Sequence, residues 1–169
     1  GSSSPVNAPQ VNFTADATTA TLGSEDLSVD KTTVVADNSD MATFEAVVKD
    51  AGDNPVAGMT ISWTTDKGTL SGASSTTDSN GKATVMLKDT LAGEAQVTAA
   101  LNGNAAVNAD KVTFIADSTT ATIGTGDLTV NKTTVVANNT DSATYVALVK
   151  DANGNPVADV DVNWNSDYA

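Results

Sequence analysis

Cys and His, the side chains behind much of enzymatic and metal chemistry, do not occur in this chain. Their absence removes disulfides, Cys/His zinc sites and every Ser-His or Cys-His nucleophilic pair. What the sequence offers instead is oxygen: 21 Asp and Glu against 8 Lys and Arg, a formal net charge of −13, set among many Asn and Thr. Such residues can hold hard cations, act as a paired acid and base, or close turns on their own backbone. Spacing has to decide between these uses.

Asp151-Ala152-Asn153-Gly154-Asn155 opens like a calcium loop, but an EF-hand loop requires a bidentate Glu at its twelfth position and Val162 stands there. A hairpin turn is the better reading. Asp110, Asp117 and Asp127 gather where two repeats meet, and this trio is the candidate interdomain calcium site; the competing reading is a solvated acidic linker. No pair of carboxylates is framed by an apolar pocket pattern, so neither catalytic residues nor a cofactor are expected, and the chain is read as not an enzyme. Lys49-Asp50 recurs as Lys150-Asp151, in both cases flanking a turn, and both pairs are read as exposed strand ends. The acidity also repels phosphate backbones and anionic lipid, which argues against nucleic acid or a membrane surface as a partner.

The elements that position these residues come in copies. Val11-Asn12-Phe13-Thr14-Ala15-Asp16 aligns with Val112-Thr113-Phe114-Ile115-Ala116-Asp117 at an offset of 101 residues. The register then holds without a gap. Lys31–Ala36 recurs at 132–137, Asn54-Pro55-Val56-Ala57 as Asn155-Pro156-Val157-Ala158, and Trp63 as Trp164. A period of this length suits one β-sandwich per repeat rather than a solenoid unit. The expected organisation is a lead, the last strand of a preceding repeat and a linker over 1–23; a whole domain over 24–117; and a linker with the first half of another over 118–169. Thr18-Thr19-Ala20-Thr21 and Thr119-Thr120-Ala121-Thr122 form the connections, and their β-branched residues should restrict bending.

Within the whole unit the apolar period is two. Phe44, Ala46 and Val48 share a face, as do Met59, Ile61 and Trp63, then Ala83, Val85 and Leu87, then Ala95, Val97, Ala99 and Leu101. Asp50–Pro55, Asp78-Ser79-Asn80-Gly81 and Asn102-Gly103-Asn104 supply turn chemistry between them. Pro55 and Pro156, which cannot donate to a ladder, belong at strand starts. About seven short strands at this spacing predict an all-β fold of tandem immunoglobulin-like sandwiches without a disulfide.

Several stretches together resemble the bacterial immunoglobulin-like repeats (Big_1 type) of the intimin and invasin family of inverse autotransporter adhesins. They are Leu27–Lys31, Ala42-Thr43-Phe44, Val48-Lys49-Asp50, Asn54–Gly58, Ile61-Ser62-Trp63, Asp78–Val85, Gly93–Ala99 and Val112-Thr113-Phe114. The resemblance implies a rod on the outside of a Gram-negative cell, anchored by an outer-membrane barrel outside this segment, with binding concentrated at a distal tip. The cysteine pair of the intimin tip modules is absent, so the chain reads as stalk.

Two functions follow as expectations: a spacer that supports cell adhesion, or alternatively a module that itself binds a host receptor, matrix protein or glycan. Expected partners are neighbouring repeats, a host-cell or matrix ligand, and a second copy completing the half-repeat through strand addition or swapping. Tyr145 and Trp164 read as core-facing, while Met86 and Tyr168 are the expected exposed large apolar residues.

Overall fold

The computed structural model describes residues 1–167, so Tyr168 lies outside the described residues. Strands and single-turn 3₁₀ helices make up its regular structure. Residues 27–115 supply β1 (Leu27–Val29), β2 (Thr33–Val35), β3 (Ala42–Val47), β4 (Thr60–Thr65), β5 (Thr69–Leu70) and β6 (Ser74–Thr76). They continue with β7 (Lys82–Lys88), β8 (Gly93–Ala95), β9 (Val97–Leu101), β10 (Val107–Asn108) and β11 (Val112–Ile115). One sheet runs β1-β3-β7-β5, a second β10-β9-β4-β6, and a third β2-β11-β8, in which β11 lies parallel to β2 and antiparallel to β8. The fold is the expected all-β immunoglobulin-like architecture.

Side-chain alternation decides what faces inward. Phe44 and Ala46 from the first sheet, with Val48 just past the end of β3, meet Ile61, Trp63, Val97, Ala99 and Leu101 from the second, and Val34, Val112 and Phe114 from the third close the same core. Phe44, Ile61, Leu87 and Val97 are fully buried. The Trp63 indole, the one large polar-tipped side chain there, donates from Nε1 to Ser75 Oγ at 2.8 Å. No buried side-chain nitrogen or oxygen among the described residues lacks a partner.

The strands outnumber the expected seven because single alternating runs divide between sheets. The run from Gly93 to Leu101 pairs first with β11 as β8 and then with β4 as β9. Gln96 makes the crossing: its backbone N–H donates to Asp66 Oδ1 (2.7 Å) and its side-chain amide to the Ala109 (2.6 Å) and Val97 (3.1 Å) carbonyls. Pro55 and Pro156 do not begin strands; each sits at a single antiparallel bridge, to Lys49 and Lys150.

Residues 118–167 contain one paired ribbon, β12 (Leu128–Val130) with β13 (Tyr145–Ala147). Here the expectation of core-facing aromatics fails. Tyr145 and Trp164 are 62% and 56% exposed, their rings 6.4 Å apart, whereas Phe44 and Trp63 at the equivalent positions are 0% and 2% exposed. In its sheet Trp63 lies on β4 between β6 and β9, and residues 118–167 contain no counterpart of either neighbour. Met86 is exposed as expected.

The repeat also sets an internal control. Phe114 is buried and its equivalent Phe13 is 96% exposed. Phe114→Ala is expected to cost about 3–5 kcal/mol and Phe13→Ala to stay within about 0.5 kcal/mol, measured by chemical denaturation with circular dichroism. Equal costs would contradict the assignment of Phe114, and not Phe13, to the core.

Candidate functional site at the inter-repeat joint

Each repeat begins with a linker strapped to a hairpin, and one aspartate holds the strap. In the first copy Asp16 Oδ1 accepts from the backbone (2.9 Å) and hydroxyl (2.6 Å) of Thr18, which closes a 3₁₀ turn over Ala17–Thr19. The β-branched connection is therefore not simply extended. The backbone N–H of Asp16 donates to Asp50 Oδ2 at 2.9 Å, while Asp50 Oδ1 accepts from the backbones of Gly52 (2.8 Å) and Asn54 (2.9 Å). Thr21 then bonds the Lys49 carbonyl at 2.9 Å.

The second copy repeats this bond for bond. Asp117 accepts from Thr119 through backbone and hydroxyl at 3.0 and 2.6 Å, closing Ser118–Thr120. Its own N–H donates to Asp151 Oδ2 at 3.0 Å, and Asp151 Oδ1 takes the backbones of Asn153 (2.9 Å) and Asn155 (2.8 Å). Both hairpins pass through a left-handed residue at the same position, Asp53 (φ 64°) and Gly154 (φ 85°).

Asp50 and Asp151 are 7% and 4% exposed, so the reading of both as exposed strand ends is corrected. Each exchanges water for several N–H donors, which keeps a buried carboxylate charged. The Asp16 backbone N–H, with help from Asn54 and Gly52, pulls the Asp50 pKa down to about 2. Burial alone would raise the Asp151 pKa, but the donors from Asn155, Asp117 and Asn153 outweigh it and leave it lowered.

At the second hairpin the geometry reaches across to the first sandwich. The Asn155 side chain donates from Nδ2 to the Thr90 carbonyl and accepts from the Ala92 N–H through Oδ1, each at 2.8 Å. Its Nδ2 also donates to Asp151 Oδ2 at 2.8 Å, so the carboxylate that holds the linker also aims the amide. Asn153 Nδ2 adds a bond to the Ala36 carbonyl at 2.9 Å. Asn155 is 5% exposed there. The arrangement binds one repeat end to the next.

Of the expected calcium trio Asp110, Asp117 and Asp127, the last two have partners of their own. Asp117 is occupied in capping the linker turn, and Asp127 takes Lys150 Nζ at 2.5 Å and the Gly124 N–H at 3.1 Å. Lys150 foremost lowers the pKa of Asp127. Among the described residues no group of three or more Asp, Glu, His or Cys is arranged to hold a metal ion. The Asp151–Asn155 segment is a turn whose carboxylate faces N–H groups. Asp16/Asp50 and Asp117/Asp151 are the same positions of the repeat, 34 residues apart in both copies, but their spacing alone does not mark them as partners.

Residues 24–115 and 125–169 match the family model described as bacterial Ig-like domain (group 1). The chain is 35% identical over 160 residues to the inverse autotransporter adhesin YeeJ of Escherichia coli strain K12, covering 91% of this chain and 7% of that protein. It is 40% identical over 101 residues to intimin of Citrobacter freundii, covering 53% of this chain and 10% of the relative. The chain thus spans 7–10% of the length of these curated relatives. Among solved structures, invasin, described as a bacterial integrin-binding protein, superposes with a TM-score of 0.62 at 25% identity, covering 88% of this chain and 29% of that one. The D0-D1 domain of intimin gives a TM-score of 0.53 at 36% identity, covering 57% and 48%. With the sandwich, the repeat and the family match in agreement, the chain belongs to the bacterial Ig-like domain family, group 1, and its relatives are adhesins.

Proposed function

We propose that this chain is a spacer segment in the extracellular, outer-membrane-anchored shaft of a Gram-negative adhesin, holding a distal binding tip away from the cell. The observation that carries the reading is the joint. The Asn155 and Asn153 side chains bond three backbone groups of the preceding sandwich, and Asp151 holds the linker in place. A linker fixed in this way resists bending, and stiffness is what a spacer has to provide. The family's adhesins supply the cellular setting.

The purified chain is expected to show no saturable binding to host cells, matrix proteins or glycans at micromolar concentration. The whole adhesin should lose adhesion when these residues are replaced by a flexible Gly/Ser segment of equal length. Saturable binding of the chain itself at physiological salt would overturn the spacer reading in favour of a receptor-binding module.

The strap also has a pH signature. A folded-state pKa near 2, below the ordinary 3.8, means that Asp50 stabilises the docked linker fully above pH 4 and loses this contribution as pH falls through about 2. The amide proton of Asp16, followed by NMR, is expected to titrate with a midpoint near 2; a midpoint near 3.8 would contradict the bond to Asp50.

A further inference from the structure

The hairpin of the first sandwich carries the same equipment as the second but presents it outward. Asn54 is the positional equivalent of Asn155. Its amide is held by the Asp50 carboxylate, from Nδ2 to both oxygens at 3.1 Å, yet Asn54 is exposed where Asn155 is buried. Phe13 lines a cleft with it and is 96% exposed, as Val11 is at 75%, whereas their equivalents Phe114 and Val112 are 1% and 0% exposed in the core of a sandwich. The two clefts correspond as well. The one at the observed joint is lined in part by Phe114, Ile115, Ala116 and Pro156, and the one at the lead by Phe13, Thr14, Ala15 and Pro55, with Asn54.

Resting on the spacer reading, we propose that the Asp50–Pro55 edge is a docking surface for the end of another sandwich of this family, the one to which Val11–Thr14 contributes the last strand. The feature recognised is a backbone carbonyl and a backbone N–H two residues apart, as Thr90 and Ala92 offer them to Asn155. A single primary amide satisfies both at once, donating from nitrogen and accepting at oxygen. Asp50 orients Asn54 in advance, because a charged acceptor fixes which end of the amide points outward.

The two docking edges are not equal. Gly52 occupies the position of Asn153, so the bond that Asn153 makes to the Ala36 carbonyl has no counterpart at the first hairpin. The joint on Asn54 therefore has one side-chain clamp where the observed joint has two. It is the softer of the two, and an array built of such units would bend at positions set by this one residue.

The test uses the whole chain with residues 24–115 placed ahead of Ala15 in exchange for residues 1–14, so that a complete sandwich runs into the Asn54 hairpin. Hydrogen exchange of the Asn54 side-chain amide, read by NMR without any further substitution, is expected to slow by roughly tenfold or more relative to the original chain. Asn54→Ala should broaden the distribution of angles at the first joint in small-angle scattering, as Asn155→Ala does at the second, while the Trp63 indole resonance stays in place. Unchanged exchange at Asn54, with Asn54→Ala silent and Asn155→Ala active, would overturn the docking proposal and leave the spacer reading standing. If neither substitution loosens its joint, the stiff-spacer reading falls as well.

Discussion

One buried carboxylate per repeat, Asp50 or Asp151, governs how these sandwiches connect. A carboxylate removed from water is costly unless donors replace the lost hydration, and here the donors come from the hairpin's own backbone, its Asn side chain and the first residue of the incoming linker. The charge therefore does not just tolerate the linker; it needs the linker to be docked. With it go the 3₁₀ turn at Ser118–Thr120, the bridge from Thr122 to Lys150, and the orientation of Asn155 towards Thr90 and Ala92. The three side-chain amide bonds across the joint, each contributing on the order of 1 kcal/mol net, would together favour the docked arrangement by roughly 100-fold.

The sandwich itself relies on packing rather than covalent closure. Without Cys, the core depends on the inward faces of three sheets, with Trp63, Phe44 and Phe114 as its largest members. Its polar content is small and satisfied, as Thr77 shows: buried, it accepts from the Met59 N–H and donates to the Val56 carbonyl. Surface ion pairs such as Lys82 with Glu45 and Lys111 with Glu94 are exposed and contribute little by comparison.

Much of this was legible in the sequence, because alternation and repetition are local signals. Phe44, Ile61, Trp63, Val85 and Val97 are inward as their period required. Gln96 was not legible, since a run that changes sheets keeps its alternation and only the pairing partner differs. The role of Asp50 and Asp151 was hidden for another reason: an aspartate at a turn looks alike whether its donors come from water or from a linker 34 residues away. Tyr145 and Trp164 show the limit of periodicity. It says which face a side chain occupies, and burial depends on what lies against that face.

Asp151 couples linker docking to the contact between repeats, because it holds both the Asp117 N–H and the Asn155 amide. Residual dipolar couplings measured separately for residues 27–115 and 118–167 test it most directly. The intact chain is expected to give one shared alignment for both segments, and Asp151→Ala two independent ones, with the core resonances of the first sandwich unchanged. A shared alignment that survives Asp151→Ala would contradict the account.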